Sequence, residues 1–412
     1  IPDSDRKNLN GQYHFTTLSA AVAHRLDSVN TLKLHGRFSL GDRHFSLIYP
    51  SETPTKYQNL DSWNLLEWES RFGGFTSQLK TAFLLERYEY FTDIKNEDYA
   101  SFGEGRSILM DYDIGKKFDN GMEIHTLLNY EYTYGKGTSV PKNTRQIPSV
   151  GMLMKQQLTP VFLYEIGLKK DFSDEYKSPF LFSLGAALDL SSFYTLKLNF
   201  SKNHRIPTFN DLYWYGSGNT DLQPETSLQG EVGNNFRFKN LKFSFTGFYN
   251  NIQDFIHWLP VANGIWEPIN TSEVRSYGIE SFLSYRRNFG EHKFSVQSTY
   301  AYTVSKNKKT DKQLIYVPFH NITAGIGYAY KNWNVNYEFL YTGEVFTRTD
   351  NNPAYNLPGY TVSNISLSKS FGKKNVFEVG IKVMNLFNEK YQSVENRYFP
   401  GLHMMSFLIL KL

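Results

Sequence analysis

Residues 333–342 read WNVNYEFLYT, with Trp333, Val335, Tyr337, Phe339 and Tyr341 on one parity and Asn334, Asn336 and Glu338 on the other. A period of two belongs to a β-strand, whose side chains point alternately to opposite faces. The polar parity is too wet for a packed core. One face of this strand therefore meets apolar surroundings and the other meets water.

The pattern recurs along the chain. In 241–249, LKFSFTGFY, Leu241, Phe243, Phe245, Gly247 and Tyr249 oppose Lys242, Ser244, Thr246 and Phe248, and in 122–134 Met122, Ile124, Leu128, Tyr130, Tyr132 and Tyr134 oppose Glu123, His125, Asn129, Glu131 and Thr133. Nineteen strands are predicted in this way, among them 193–204, 225–238, 241–255, 273–288, 316–330, 333–347, 358–371, 375–387 and 402–412. Very short connections (Phe72–Gly74, Lys239–Asn240, Lys331–Trp333) alternate with long polar ones (41–58, 205–224, 256–272, 388–402). Tight turns on one rim and long loops on the other are the organisation of an outer-membrane β-barrel. A soluble sandwich or propeller has no reason to keep that parity over so many hairpins. Because an unpaired sheet edge cannot face lipid, an odd count beginning on the long-loop side predicts further strands upstream of Ile1.

Composition agrees with this reading. Aromatic residues make up 17% of the 412, with 29 Tyr and 33 Phe, yet the mean hydropathy is −0.46. Alternating lipid-facing and lumen-facing residues average out in this way. No apolar run exceeds about four residues, against the ~20 of a spanning helix. Tyrosines near strand ends, as at Tyr130, Tyr132, Tyr134, Tyr300 and Tyr302, suit interfacial girdles, where a ring needs a wet hydroxyl.

The sequence offers little for catalysis. It has no cysteine, which removes disulfides, thiolate nucleophiles and Cys-ligated metals. The net charge of +4 is dispersed, which argues against a nucleic-acid partner. Gly103-Glu104-Gly105 and Gly325-Ile326-Gly327 lack the later glycine and the helix of a phosphate loop. Asp111-Tyr112-Asp113 lacks the acidic twelfth residue of a calcium loop, where Met122 stands. The ten histidines are scattered. No enzyme activity, cofactor or metal centre is expected.

The longest polar connection carries a recognisable wording. Arg205-Ile206-Pro207-Thr208-Phe209-Asn210-Asp211-Leu212-Tyr213-Trp214, followed by Gly218-Asn219-Thr220-Asp221-Leu222-Gln223-Pro224-Glu225, resembles a signature of TonB-dependent outer-membrane receptors. Gly278-Ile279-Glu280, Leu357-Pro358-Gly359-Tyr360, Asn385-Leu386-Phe387-Asn388-Glu389-Lys390-Tyr391 and Pro400-Gly401 resemble later motifs of the same family, in the family's order. The resemblance implies an all-β fold, a transmembrane antiparallel β-barrel of the 22-stranded type. Residues 1–412 would be its C-terminal part, with about nineteen strands present and the N-terminal plug domain and first strands outside this chain. Arg205, Pro207, Phe209, Asn210, Asp211, Leu212, Tyr213, Asn219, Leu222, Pro224 and Glu225 would be mainly structural members of the motif.

The function implied is active import across the bacterial outer membrane. A scarce, bulky nutrient would be captured on extracellular loops and moved to the periplasm with energy from the TonB complex, reached through the absent N-terminal segment. The wording Phe-Asn-Asp-Leu-Tyr-Trp and the compact loops are most similar to cobalamin transporters, so a corrinoid is the expected ligand. A ferric siderophore or haem is the alternative within the family, and a passive porin or adhesin barrel is the alternative outside it. Expected ligand contacts are the loop residues Tyr49, Tyr57, Tyr213, Trp214, Tyr215, His257, Trp258, Trp266 and Tyr355, because flat or rigid ligands gain stacking at low entropy cost. Outer-membrane lipid or lipopolysaccharide and a surface lipoprotein are the further partners foreseen.

Overall fold

The computed structural model describes residues 10–45, 47, 51–96, 98, 100–261 and 264–411. Strands β1 (Tyr13–Arg25), β2 (Asn30–His44), β3 (Lys56–Phe72), β4 (Phe75–Phe91) and β5 (Ala100–Lys117) lead into β6 (Met122–Gly137), β7 (Asn143–Thr159), β8 (Phe162–Asp171), β9 (Phe180–Ser191) and β10 (Tyr194–Arg205). A one-turn helix, α1 (Phe209–Tyr213), precedes β11 (Glu225–Arg237), β12 (Leu241–Pro260), β13 (Trp266–Phe289) and β14 (His292–Asn307). Then come β15 (Lys312–Gln313), β16 (His320–Tyr330), β17 (Trp333–Thr342), β18 (Tyr360–Phe371) and β19 (Phe377–Met384). A small hairpin of β20 (Gln392–Val394) and β21 (Arg397–Tyr398) leads to β22 (His403–Leu410). All but that hairpin belong to one 20-stranded sheet, in which β15 is only a two-residue addition to β14. The nineteen long strands of the sequence reading are thus present.

Every pairing in the sheet is antiparallel, and long strands adjacent in sequence are adjacent in space. The opening stretch shows why the chain folds so. Trp333, Val335, Tyr337, Phe339 and Tyr341 lie opposite Tyr330, Tyr328, Ile326, Ala324 and Ile322 of β16, one continuous apolar row. On the other face Glu338 accepts from Asn364 Nδ2 (3.3 Å) and Lys382 Nζ (2.8 Å). A slip of one residue would exchange the two faces, so the apolar pattern fixes the register. At the short turns, aromatic rings meet on the outward face, Phe72 with Phe75 and Phe193 with Phe238 at 6.0 and 5.5 Å. Lys369 holds its ammonium over the Trp333 and Phe371 rings there, 4.7 and 5.1 Å from their centroids, a cation–π contact.

The long connections depart most from expectation. Residues 256–260 and 266–272 are strand and not loop: β12 and β13 continue beyond β11 as a two-stranded tongue whose last pair is Pro260 with Trp266. Residues 205–224 hold α1, and residues 388–402 hold the β20–β21 hairpin. The strand predicted over 316–330 begins only at His320, because Pro318 offers no N–H and Tyr316 has φ 58°. The one predicted over 333–347 stops at Thr342, after which Val345 bridges Leu357. That predicted over 375–387 stops at Met384, where Asn385 takes φ 49°.

Candidate functional site

The long-connection rim is built around the corner that joins β10 to β11. Arg205 and Glu225 are an in-register pair, and the guanidinium forks onto the carboxylate, Nε to Oε2 at 2.8 Å and Nη2 to Oε1 at 2.6 Å. Glu225 Oε1 also accepts the Ile256 amide at 2.5 Å, which ties β12 to the same point. Thr208 caps α1: its Oγ1 accepts from the Asp211 amide at 3.2 Å while Asp211 Oδ2 accepts the Thr208 amide at 2.9 Å. This reciprocal capping box explains how one turn of helix survives here. Asp211 Oδ1 takes the Trp258 indole N–H at 2.9 Å, and Asn219 Nδ2 donates to the Pro268 carbonyl at 3.1 Å. Leu212, Leu222 and Ile256 form a small buried core with Tyr213 packed against it. A Cβ at Gly218 would stand 2.5 Å from the Trp214 amide nitrogen, so the chain closes on itself only through glycine.

This corner is a latch on the β12–β13 tongue. It assigns positions to most of the loop residues predicted as ligand contacts. Tyr213 packs inward, Trp214 ends α1 with its N–H on the Asn210 carbonyl, and Trp258 is hydrogen-bonded to Asp211. His257 Nε2 lies 2.7 Å from Thr271 Oγ1, and burial lowers the imidazole pKa from its usual 6.5, partly opposed by Glu225. Tyr215 stands clear of the corner, 85% exposed. Trp266 and Tyr355 are also exposed, the latter beneath the Arg348 guanidinium at 4.3 Å. Tyr49 lies outside the described residues.

Tyr57 belongs to a different cluster, on the lumen face of the first four strands. It stacks on Tyr88 at 5.3 Å and 15°, while Phe45 meets Tyr57 and Tyr90 edge-on at 6.4 and 5.9 Å. Arg43 lies over the Tyr57 ring at 4.7 Å. Tyr13 and Phe15 continue the wall on β1, 5.9 Å apart. Two glycines make the surface possible: a Cβ on Gly103 would stand 2.3 Å from the Tyr88 ring, and one on Gly41 2.5 Å from Phe15. In the next inward-facing row Asp61 and Glu86 are paired, and beneath them Arg37 lies over Trp63 at 4.9 Å. The wall is therefore aromatic and of mixed charge. Sequence reasoning missed Arg43, Phe45, Tyr88 and Tyr90. Their signal was parity, since Tyr88 and Tyr90 alternate with the outward-facing Leu85 and Arg87 and share the wet face with Glu86.

A second aromatic stack joins the last loops to the rim. Tyr391 lies between Tyr360 at 4.7 Å and Phe399 at 5.0 Å, and burial raises its phenol pKa. Asn385 fastens this loop, donating to the Glu389 and Pro400 carbonyls. Among the described residues no group of three or more His, Asp or Glu side chains is placed to hold a metal ion.

A family model described as TonB dependent receptor-like, beta-barrel matches residues 2–386. The chain belongs to this TonB-dependent receptor family. It is 28% identical over 236 residues to a vitamin B12 transporter BtuB of Photobacterium profundum, a match covering 56% of this chain and 38% of that protein. A TonB-dependent heme receptor A of Haemophilus influenzae is 23% identical over 55% of this chain and 36% of its own length. The chain thus matches well under half the length of these curated relatives. Among solved structures, the siderophore receptor PirA from Acinetobacter baumannii aligns with TM-score 0.78 over 99% of this chain and 73% of that one, at 17% identity. That likeness establishes the TonB-dependent receptor barrel as the fold, with the Arg205–Glu225 corner on its long-connection rim.

Proposed function

We propose that this chain supplies the barrel of an outer-membrane active transporter, which captures a scarce, bulky nutrient at its long-loop mouth for TonB-driven import. The proposed substrate is a corrinoid. The observation that carries this reading is the lumen-facing wall of Tyr13, Phe15, Phe45, Tyr57, Tyr88 and Tyr90 beside Arg43. A large, rigid, nearly neutral ligand gains stacking and apolar contact on such a surface. The charge around it is balanced: Arg43 and Arg37 stand against Asp61 and Glu86. A strongly anionic iron chelate would be better served by a cluster of cations. The 28% identity to a vitamin B12 transporter supports the same choice. Tyr215, Trp266 and Tyr355 are proposed as outer contacts, while Tyr213, Trp214, His257 and Trp258 act through the corner.

A ferric siderophore or haem is the second reading, favoured by Arg348 over the exposed Tyr355 and by the match to a haem receptor. The deciding experiment is equilibrium binding of cyanocobalamin, ferric enterobactin and haemin to the detergent-solubilised full-length protein. Binding of cyanocobalamin alone is expected; binding of either iron ligand without it would replace the corrinoid. A plug domain and the TonB complex complete the transporter in this proposal.

A further inference from the structure

The short-connection rim of β11–β14 carries a group of cations on the wet face of the sheet. Arg237 pairs with Lys242, and their row continues through Ser284, Gln297 and Gly325 to Glu338, on the polar parity of 333–342. Arg286 lies in the next row, with Ser295, Gly327 and Asn336, and Lys293 in the one after, with Ala329 and Asn334. Arg237, Lys242, Arg286 and Lys293 therefore share the lumen face, and all are exposed. Lys239, in the turn between β11 and β12, extends the group beyond the last strand pair.

Among the described residues nothing neutralises this group. Arg237, Lys239, Lys242, Arg286 and Lys293 have no ion pair, side-chain hydrogen bond or ring contact there. Asp189, on the same face of β9, accepts from Thr195 Oγ1 at 2.6 Å, and Glu291 lies 3.7 Å from Lys331. Lys117 and Lys411, on the same rim, do have partners, Glu123 at 3.0 Å and Glu378 at 3.1 Å. Arg237 and Lys242 also stand directly opposite each other, and like charges so placed destabilise a sheet. A wall that keeps this repulsion beside no carboxylate of its own offers the charge to a partner.

The spacing sets the size of that partner. Four strands about 4.8 Å apart spread the cations over about 14 Å, too far for one phosphate or one carboxylate. Carboxylates at alternate positions of an extended polypeptide stand about 6.8 Å apart, so three of them cover the same distance. The parity turns these side chains away from hydrocarbon, which disfavours a lipid headgroup. Lys239 lies on the turn, within reach of an occupant arriving from the short-connection side and not of one confined to the lumen. We infer that this rim docks an acidic segment of a periplasmic protein, at the end of the barrel from which a transported solute emerges. The inference rests on the barrel reading above, which puts the short turns in the periplasm.

The test measures fluorescence anisotropy of a labelled hexapeptide of alternating glutamate and serine with the full-length protein in neutral detergent. The wild type is expected to bind it at low salt, and Arg237→Gln/Lys242→Gln to weaken binding by about tenfold, the scale of one charge-assisted contact. Lys369→Gln, which removes a cation of the same rim on the outward face, should leave binding unchanged. No binding by the wild type, or binding that the double variant keeps, overturns the site. Competition by phosphatidylglycerol micelles as strong as by unlabelled peptide gives the cations to a lipid headgroup and overturns it as well. Without peptide, Arg237→Gln should raise the melting temperature, because it relieves the repulsion with Lys242. A fall would show that Arg237 already has a carboxylate partner inside the full-length protein, which overturns docking from the periplasm. The barrel reading is checked separately: the chain has no cysteine, so Lys239→Cys introduces a single thiol into it. Labelling of that thiol in intact cells, by a polymer-coupled maleimide too large to cross the outer membrane, overturns both readings. Labelling only after that membrane is permeabilised, with no peptide binding, overturns the docking site alone.

Discussion

Arg205 and Glu225 form the last in-register pair of β10 and β11, and their two-point contact closes the corner between those strands while Glu225 also holds the Ile256 amide. Three chain segments therefore depend on one carboxylate. Glu225 is only 12% exposed and Arg205 47%, so the pair is worth more than a surface bridge but less than a buried one. Glu225→Gln is expected to cost about 1–2 kcal/mol. Faster hydrogen exchange at the Ile256 amide is the readout that separates this latch from a general loss of stability. Unchanged exchange at Ile256 would show that the carboxylate does not hold the tongue.

The Asp211–Trp258 bond makes a second, independent tie. Trp258→Phe keeps the ring and removes only the N–H, leaving Asp211 with its Thr208 contacts. A loss of about 1 kcal/mol is expected, concentrated in the corner. Asp211→Ala should cost more, because it also removes half of the capping box, about 1 kcal/mol again. The two substitutions together should cost less than their sum, since they share the Trp258 bond. Limited proteolysis between Arg205 and Glu225 reads this directly, and strict additivity would show that Trp258 and Asp211 do not act through each other.

The sheet was legible because its rule is local. Trp333–Thr342 alternates with Leu340 as its one exception, and the structure puts Tyr337 and Glu338 on the faces that the alternation requires. The corner was legible as turn chemistry, though α1 was not, since five residues are too few for a 3.6-residue period to show. The tongue was hidden by Pro260 and Pro268, which argue against strand in a central position but are tolerated where β12 and β13 pair only with each other. The aromatic wall was hidden for another reason. Phe45, Tyr57 and Tyr88 are far apart in sequence and meet only through the registers of β2, β3 and β4. Choosing aromatic loop residues found Tyr57 and passed over the neighbours that give it a stacking partner.

His257 gives the tongue a pH dependence whose sign follows from its burial. Its folded pKa lies below the ordinary 6.5, so the native tongue favours neutral imidazole while the unfolded chain takes up a proton near 6.5. The unfolded state then binds more protons in the interval between the two values, and stability falls as pH falls through it. Above 6.5 both states are neutral and His257 contributes no slope. His257→Gln is expected to flatten the melting-temperature profile between pH 7.5 and 5, keeping a donor for Thr271. An unchanged profile would assign the slope to other groups.

Gly103 tests the aromatic wall without touching a ring. A Cβ there would stand 2.3 Å from Tyr88, so Gly103→Ala must move that ring and disturb its 5.3 Å stack on Tyr57. If the wall receives the ligand, Gly103→Ala and Tyr57→Ala should each weaken cyanocobalamin binding, by about five- to thirtyfold for the loss of one stacking anchor. Tyr57→Phe should retain most of the affinity, because the face and not the hydroxyl carries the contact. Tyr213→Ala should instead loosen the corner, with an effect on ligand that follows its effect on proteolysis, since its ring packs on Leu212, Leu222 and Ile256. Equal affinity in wild type and Gly103→Ala, with the fold intact, would move the binding surface away from β2–β4 and towards the Tyr360–Tyr391–Phe399 stack.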